Sequence, residues 1–537
     1  MKPGVYQFLV GCFAALGSFL FGYDLGVIAE VVASTSFKNR FLKENANSRS
    51  GTVVALFTGG CFIGALCAGF TDPLGRRGTI FLACCVFVVG GAIQTSGVVI
   101  GMLYAGRLIA GIGVGLLTVS EVLPCSFFFS LHLQLAGFMS DVFIQMIIPI
   151  YQAEISHRRI RGRITSLQQL FNALGQIFAT WIGYGCWRTW DATADSREWR
   201  VPLAIQIIPS LFLGALIYIF PESPRWLCDH DRWEEGLRNL AHLHAHDDTS
   251  DPYVIAEYNL IKAQIAQEHD QKKKTYLDLF GDWPNLRRTI LVMMIQAACQ
   301  MTGVSAIQYF SPQIFAQIGI PTGTTLMLSA VNAIIAFLGT SVCIMIIESI
   351  GRRPMEIYGG LVMAVTFAVN CALIKVFPAT STNNGAHWGF IVMTWVFNFV
   401  FFVTSGPLSW AIPAELFGTA LRTKGVSWGA MSSFAFNTMI GQVTPIAITS
   451  IGWRYYLIFV ICNVTNSLFF WAFLPETKGL NLEDMDDLFC NSATVVPGSS
   501  WQPASHIDDD AAKIADMEAV ASRKPNVAHE EIPGSVA

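Results

Sequence analysis

Gly75-Arg76-Arg77 closes one long apolar run, and Gly351-Arg352-Arg353 closes another much later in the chain. Two more pairs repeat in the same order. Ala153-Glu154 returns as Ala414-Glu415, and Pro221-Glu222-Ser223 returns as Pro475-Glu476-Thr477. Each pair stands after equivalent apolar runs of the two halves. Self-similarity at fixed places is the mark of an internal duplication. Chance Gly-Arg or Pro-Glu pairs at helix ends would not keep this order.

Working outward from these turns, apolar runs of about 20 residues, the length that crosses a bilayer, fall near 6–33, 52–71, 79–98, 100–118, 164–184, 201–220, 289–311, 325–347, 356–377, 388–412, 426–448 and 454–474. These are spans one to twelve. They divide six and six around a polar stretch from Glu222 to Arg288, in which 233–245 and 254–268 have helical character. Of 537 residues, 53% are hydrophobic and only 13% charged, about half the charge of an ordinary soluble domain. The expected fold class is an all-α membrane protein of twelve transmembrane helices in two pseudo-symmetric six-helix bundles, with short cytoplasmic helices between them. The expected domains are 1–221, a linker at 222–288, 289–474, and a polar tail at 475–537 that is disordered after about 491.

An even number of spans puts both termini on one side. Arg76-Arg77, His157 to Arg163, Arg225 to Arg288, Arg352-Arg353 and Arg422 to Lys424 all fall on that side, so the positive-inside rule makes it cytoplasmic. Lys38, Arg40, Lys43 and Arg49 in the first external loop dilute the rule without reversing it. The stretch after Met1-Lys2 carries Gly22-Tyr23-Asp24 and continues to Ser34, too long and too polar for a cleaved signal. Cys12, Cys61, Cys67, Cys84, Cys85, Cys343, Cys371 and Cys462 lie inside apolar runs and read as small buried hydrophobes. A net charge of −4 carries no message about nucleic acid. The soluble parts offer no nucleotide loop, metal cluster or catalytic triad, so neither an enzyme nor a cofactor is expected.

Asp72-Pro73-Leu74-Gly75-Arg76-Arg77, Pro149-Ile150-Tyr151-Gln152-Ala153-Glu154, Arg161-Gly162-Arg163, Pro221-Glu222-Ser223-Pro224-Arg225-Trp226-Leu227 and Pro475-Glu476-Thr477-Lys478-Gly479 together resemble the signatures of the sugar-porter family of the major facilitator superfamily. The wording around Phe21-Gly22-Tyr23-Asp24 looks most like filamentous-fungal monosaccharide transporters. The likeness covers about 6 to 480. It implies a multi-pass plasma-membrane carrier, acting as a monomer in the lipid bilayer, that moves a hexose or pentose by alternating access with a proton as co-substrate. A facilitative uniporter and a non-transporting sugar sensor remain alternatives, and the same motifs occur in carriers of polyols, disaccharides and quinate.

The resemblance also implies roles. Arg76, Arg77, Glu154, Arg161, Glu222 and Arg225 in one half, with Arg352, Arg353, Glu415, Arg422 and Glu476 in the other, would form a cytoplasmic gate of charge pairs that holds the outward-open state. A carboxylate inside a membrane is costly and is a functional hypothesis by default. Asp24 in span one, with Arg107 in span four as its partner, is therefore the candidate for proton coupling, against the alternative of a structural ion pair.

A sugar presents many hydroxyls, each needing a partner once desolvated, and amides suit them because they both donate and accept. Family positions give Gln169 and Gln176 in span five, Gln300 in span seven, Asn332 in span eight, Trp410 in span ten and Asn437 in span eleven, with Tyr309 resembling an external gate aromatic. For a single amide, gluing helix to helix is the commoner role; the set favours solute binding. Span seven departs from the family pattern: Cys299-Gln300 stands for paired glutamines and Ser305 for an asparagine, while Gln308 adds an amide nearby. Glu30, where relatives often have glycine, is expected to face the external vestibule.

Span four should run from Thr118 straight into Met146, but Val119 to Gln145 intervene. If this insert crossed the membrane, the later basic loops would land outside, against the charge rule. The expectation is a retained intron: Val119-Ser120 can encode a splice donor, Ser140-Asp141 a branch point and Gln145 an acceptor. A genuine re-entrant or external loop is the alternative.

Overall fold

The structure is a computed structural model that describes residues 3–43, 45–67, 74–118, 161–190, 195–245, 247–270, 278–378, 380–381, 383–417, 419–478, 485, 488–490 and 494–497. The insert at 119–145 and Glu154 lie outside these residues, as do most of the tail after 491 and the side chains of Arg161 and Arg422.

Each apolar run is a helix. The first half contains Pro3–Ala14 continued by Leu16–Ala33, then Ala46–Cys67, Gly75–Ser96, Ile100–Thr118, Arg161–Trp190, and Arg197–Ile205 continued by Ile207–Leu216. The second contains Trp283–Met301 continued by Val304–Ala316, then Thr322–Ile350, Arg352–Val376, Asn384–Val403 continued by Ser405–Leu416, Thr419–Ile451 and Arg454–Phe473. A helix satisfies its own backbone, which is why lipid selects it. Several helices outrun their apolar runs: span five reaches Trp190 and span eleven starts at Thr419. Among the described residues nine helices are long and apolar enough to cross a membrane. The remaining three, spans two, five and eleven, are spans that pack across the seam between halves. Spans two and eleven pack together, as do spans five and eight.

The ends of the bundle differ. Gly75-Arg76-Arg77 and Gly351-Arg352-Arg353 share one end, the basic end. At the far end the halves close on each other: the backbone of Gly51 abuts Gln442, Gly323 abuts the Trp187 ring, and Asn47 donates to Thr449 at 3.1 Å. Tyr309 and Phe310 of span seven join a buried cluster with Val27, Val31, Val53 and Val54 of spans one and two.

Between spans six and seven lie the helices Pro224–Asp229, Trp233–His244, Pro252–Asp270 and Asp278–Gly281, two of which match the helices expected from sequence. Leu240, Ala241, Val254 and Ile265 give them a core of their own. Asn239 ties them to the bundle by donating to the Glu222 carbonyl at 3.0 Å. Part of the tail also returns: Phe489 packs under the guanidinium groups of Arg287 and Arg288 at 5.0 and 4.8 Å, and Val496 donates to the Ala472 carbonyl at 2.8 Å.

Candidate functional site

Spans one and four bring the two intramembrane charges together. One guanidinium nitrogen of Arg107 donates to both carboxylate oxygens of Asp24, at 2.7 and 2.8 Å, and both side chains are fully buried. Arg107 Nε donates to the Val53 carbonyl at 3.1 Å, and its plane lies 4.4 Å from the centre of the Phe57 ring. A charge-assisted pair of this kind offsets much of the cost of burying two ions. Tyr23, beside Asp24, donates to the Pro202 carbonyl at 3.0 Å and so fixes span one against span six.

A second polar group forms where spans seven and eleven meet. Gln300 donates to Ser433 at 2.9 Å, and its carbonyl oxygen accepts from Ser305 and, at 3.3 Å, from Asn437. The break in span seven after Met301 turns Ser305 back toward Gln300, because Gly303 adopts a left-handed φ of +99°. Ser305 thus closes onto Gln300. Tyr309 is buried beside Asn437, and the hydroxyl of one and the carbonyl oxygen of the other have spare bonding capacity. Cys299 faces the Ser405 carbonyl instead. Gln169, Gln176, Gln308, Asn332 and Trp410 make no hydrogen bond to this cluster among the described residues; Asn332 keeps a buried carbonyl oxygen unpartnered, and Trp410 packs against the first-half core together with Phe434. A cluster with spare donors and acceptors can exchange its internal bonds for those of a hydroxylated solute.

The repeated turns at the basic end have the same construction in both halves. Glu222 accepts from the amides of Arg76 and Arg77, at 3.1 and 3.3 Å, and from Arg77 Nε at 3.4 Å. Glu476 accepts from the amides of Arg352 and Arg353, at 2.9 and 3.1 Å. Each carboxylate therefore sits on the opening amides of spans three and nine, where the helix dipole favours negative charge. Gly75 and Gly351 precede them with φ of +72° and +97°, and any Cβ there would fall within 2.8 Å of the glutamate oxygen. Arg352 also pairs with Glu415 at 3.0 Å. Arg225 lies on the short helix that begins at Pro224, next to these turns.

The Sugar (and other) transporter family model matches residues 10–126 and 135–489. The chain belongs to that family. The transporter is 32% identical to the MFS-type transporter criB of Aspergillus cristatus, over 90% of this chain and 94% of the relative. It is 30% identical to the MFS glucose transporter mfs1 of Aspergillus flavus, over 90% of this chain and 89% of the relative. It superposes on the proton:xylose symporter XylE bound to 6-bromo-6-deoxy-D-glucose with a TM-score of 0.71 and 25% identity, covering 90% of this chain and 99% of that one. These matches make it a membrane transporter of major facilitator fold and not an enzyme. The gap at 127–134 in the family match falls inside the insert.

One expectation is corrected. Glu30 does not face a vestibule: it is 3% exposed and lies against Gly183 of span five, because that glycine leaves a slot the carboxyl side chain fills. Several polar contacts were not expected from the sequence. Ser433 supports Gln300, Thr58 and Thr438 join hydroxyls across the seam at 2.8 Å, and Ser405 donates to the buried Glu356 at 2.7 Å. Hydroxyls in apolar helices ordinarily bond their own carbonyls, so nothing in the sequence singles these out.

Proposed function

We propose that the transporter carries a monosaccharide, a hexose or a pentose, across the plasma membrane by alternating access in symport with a proton, with both termini cytoplasmic. The observation that carries this reading is the Gln300–Ser305–Asn437–Ser433 cluster at the inner face of the second half, close to the seam. Its groups have the donor and acceptor character that sugar hydroxyls need on desolvation. Gln169, Gln176, Asn332 and Trp410 from spans five, eight and ten, with Gln308 from span seven itself, complete the sugar site, and Tyr309 closes it at the far end, which is the outer end in this orientation. The names of similar proteins point the same way, among them glucose transporters and a proton:xylose symporter.

Asp24 couples the proton. Protonation ends the attraction to Arg107, and a ligand shifts an equilibrium only through such a difference between states. Arg76, Arg77, Glu222, Arg225, Arg352, Arg353, Glu415 and Glu476, with Glu154, Arg161 and Arg422, form the cytoplasmic gate. Uptake of a panel of labelled sugars into cells lacking their own hexose carriers, with and without a protonophore, tests the reading. Accumulation against a gradient that the protonophore abolishes is the expected result. Equilibration alone would make the protein a uniporter, and no uptake of any sugar would sink the carrier reading.

A further inference from the structure

Four carboxyl groups are buried within the spans among the described residues: Asp24, Glu30, Glu198 and Glu356. Three have partners. Asp24 is bonded to Arg107, Glu198 accepts from the backbone amides of Thr35 and Ser36 at 3.1 and 2.9 Å, and Glu356 accepts from Ser405. Glu30 differs: neither of its carboxyl oxygens has a hydrogen-bond partner. Its stem lies along Gly183, where a Cβ would come within 2.7 Å of Glu30 Cβ and 2.8 Å of its Cγ.

Among the described residues nothing supplies it a counter-charge. Arg107 is committed to Asp24 and Val53, and Arg200 donates to the Gly97 carbonyl at 3.2 Å. Lys38, on the short helix after span one, is exposed. Span five brings Tyr184 and Cys186 and span seven Tyr309, none of which can carry a positive charge. On span eight, Glu348 lies at the opposite end of the helix. An isolated carboxylate in such a place costs far more than the fold can return, and such groups neutralise instead. The same residue lies near the end where spans one and seven close together, so opening that end brings water to it.

We propose that Glu30 is a second proton-binding site, which takes up one proton from water when the far end closes around it and returns that proton to the same solution when the end opens. An O–H bond forms on the carboxylate during closure and breaks to water during opening, with no other reactant. The closed state then binds one more proton than the open state, so the closed-to-open ratio falls by up to roughly tenfold per pH unit wherever the open-state carboxyl is ionised. The site rests neither on the identity of the sugar nor on coupling at Asp24.

The test is the far-end separation of the purified full-length transporter, read by pulsed electron double resonance between spin labels at Ser48 and Ser450, with Cys85 and Cys490 replaced by serine. The expected result is a closed population that dominates at acid pH and gives way to a longer distance as pH rises. Glu30→Gln, which mimics the protonated acid, shifts the population toward the closed state and flattens its pH dependence, while Glu30→Asp keeps the pH response of the parent. Distances that do not change with pH in the parent, or that change equally in Glu30→Gln, overturn the proposal. The Glu30→Asp variant guards against misfolding as the cause of a lost response.

Discussion

Arg107 holds both carboxylate oxygens of Asp24 with one guanidinium nitrogen, and both side chains are shut off from solvent. The pair lies between spans one and four, so any change in its protonation acts on the relation between those helices. Its geometry is that of a closed ion pair, with neither group open to solvent.

Replacing Asp24 alone with asparagine should abolish proton-driven accumulation and strand a buried guanidinium. Breaking one side of a buried pair costs about 3–5 kcal/mol, so the melting temperature in detergent should fall. Asp24→Asn with Arg107→Leu should recover most of the stability and none of the accumulation. Recovery of accumulation in the double variant would show that the pair is only structural.

Gln300→Ala should weaken sugar binding without unfolding the chain. The amide has one donor on Ser433 and one acceptor shared by Ser305 and Asn437, and loss of a bonding group to a desolvated hydroxyl costs about 1.4–3 kcal/mol. That corresponds to a rise in KM of about 10- to 150-fold. An unchanged KM over the whole sugar panel would remove Gln300 from the binding site.

Glu222→Gln and Glu476→Gln should destabilise the protein by similar amounts, about 1–3 kcal/mol each, because each removes a charged acceptor from the first amides of a helix. Gly75→Ala and Gly351→Ala should cost at least as much, since each adds a Cβ where φ is positive and a glutamate oxygen already stands. Thermal melts of the four variants check this, and a large effect confined to one half would break the symmetry argument.

Sequencing of the transcript should yield reads joining the codon for Thr118 to that for Met146. Reads that all run through 119–145 would instead make the insert part of the mature chain and interrupt span four beyond Arg107.

Much of the architecture is legible in the amino-acid sequence. Long apolar runs fold as helices whatever their neighbours, and the repeats of Gly-Arg-Arg, Ala-Glu and Pro-Glu give the two-fold organisation. The partnership of Asp24 and Arg107 is also legible, since few charges lie inside the spans and each needs a counter-ion. The polar cluster of spans seven and eleven is legible only in part. Gln300 and Asn437 follow from their positions, but Ser433 cannot be told from the many hydroxyls that bond within their own helix.

The chain alone decided how many helices form, their order and which end carries the basic turns, because backbone satisfaction and the membrane penalty act on each segment separately. Which polar atoms meet depends on how helices rotate and approach, and that is decided by packing across distant segments. Glu30 illustrates the difference: its letter in the sequence marks an oddity, while its solitude and burial exist only because Gly183, on another helix, leaves room for it.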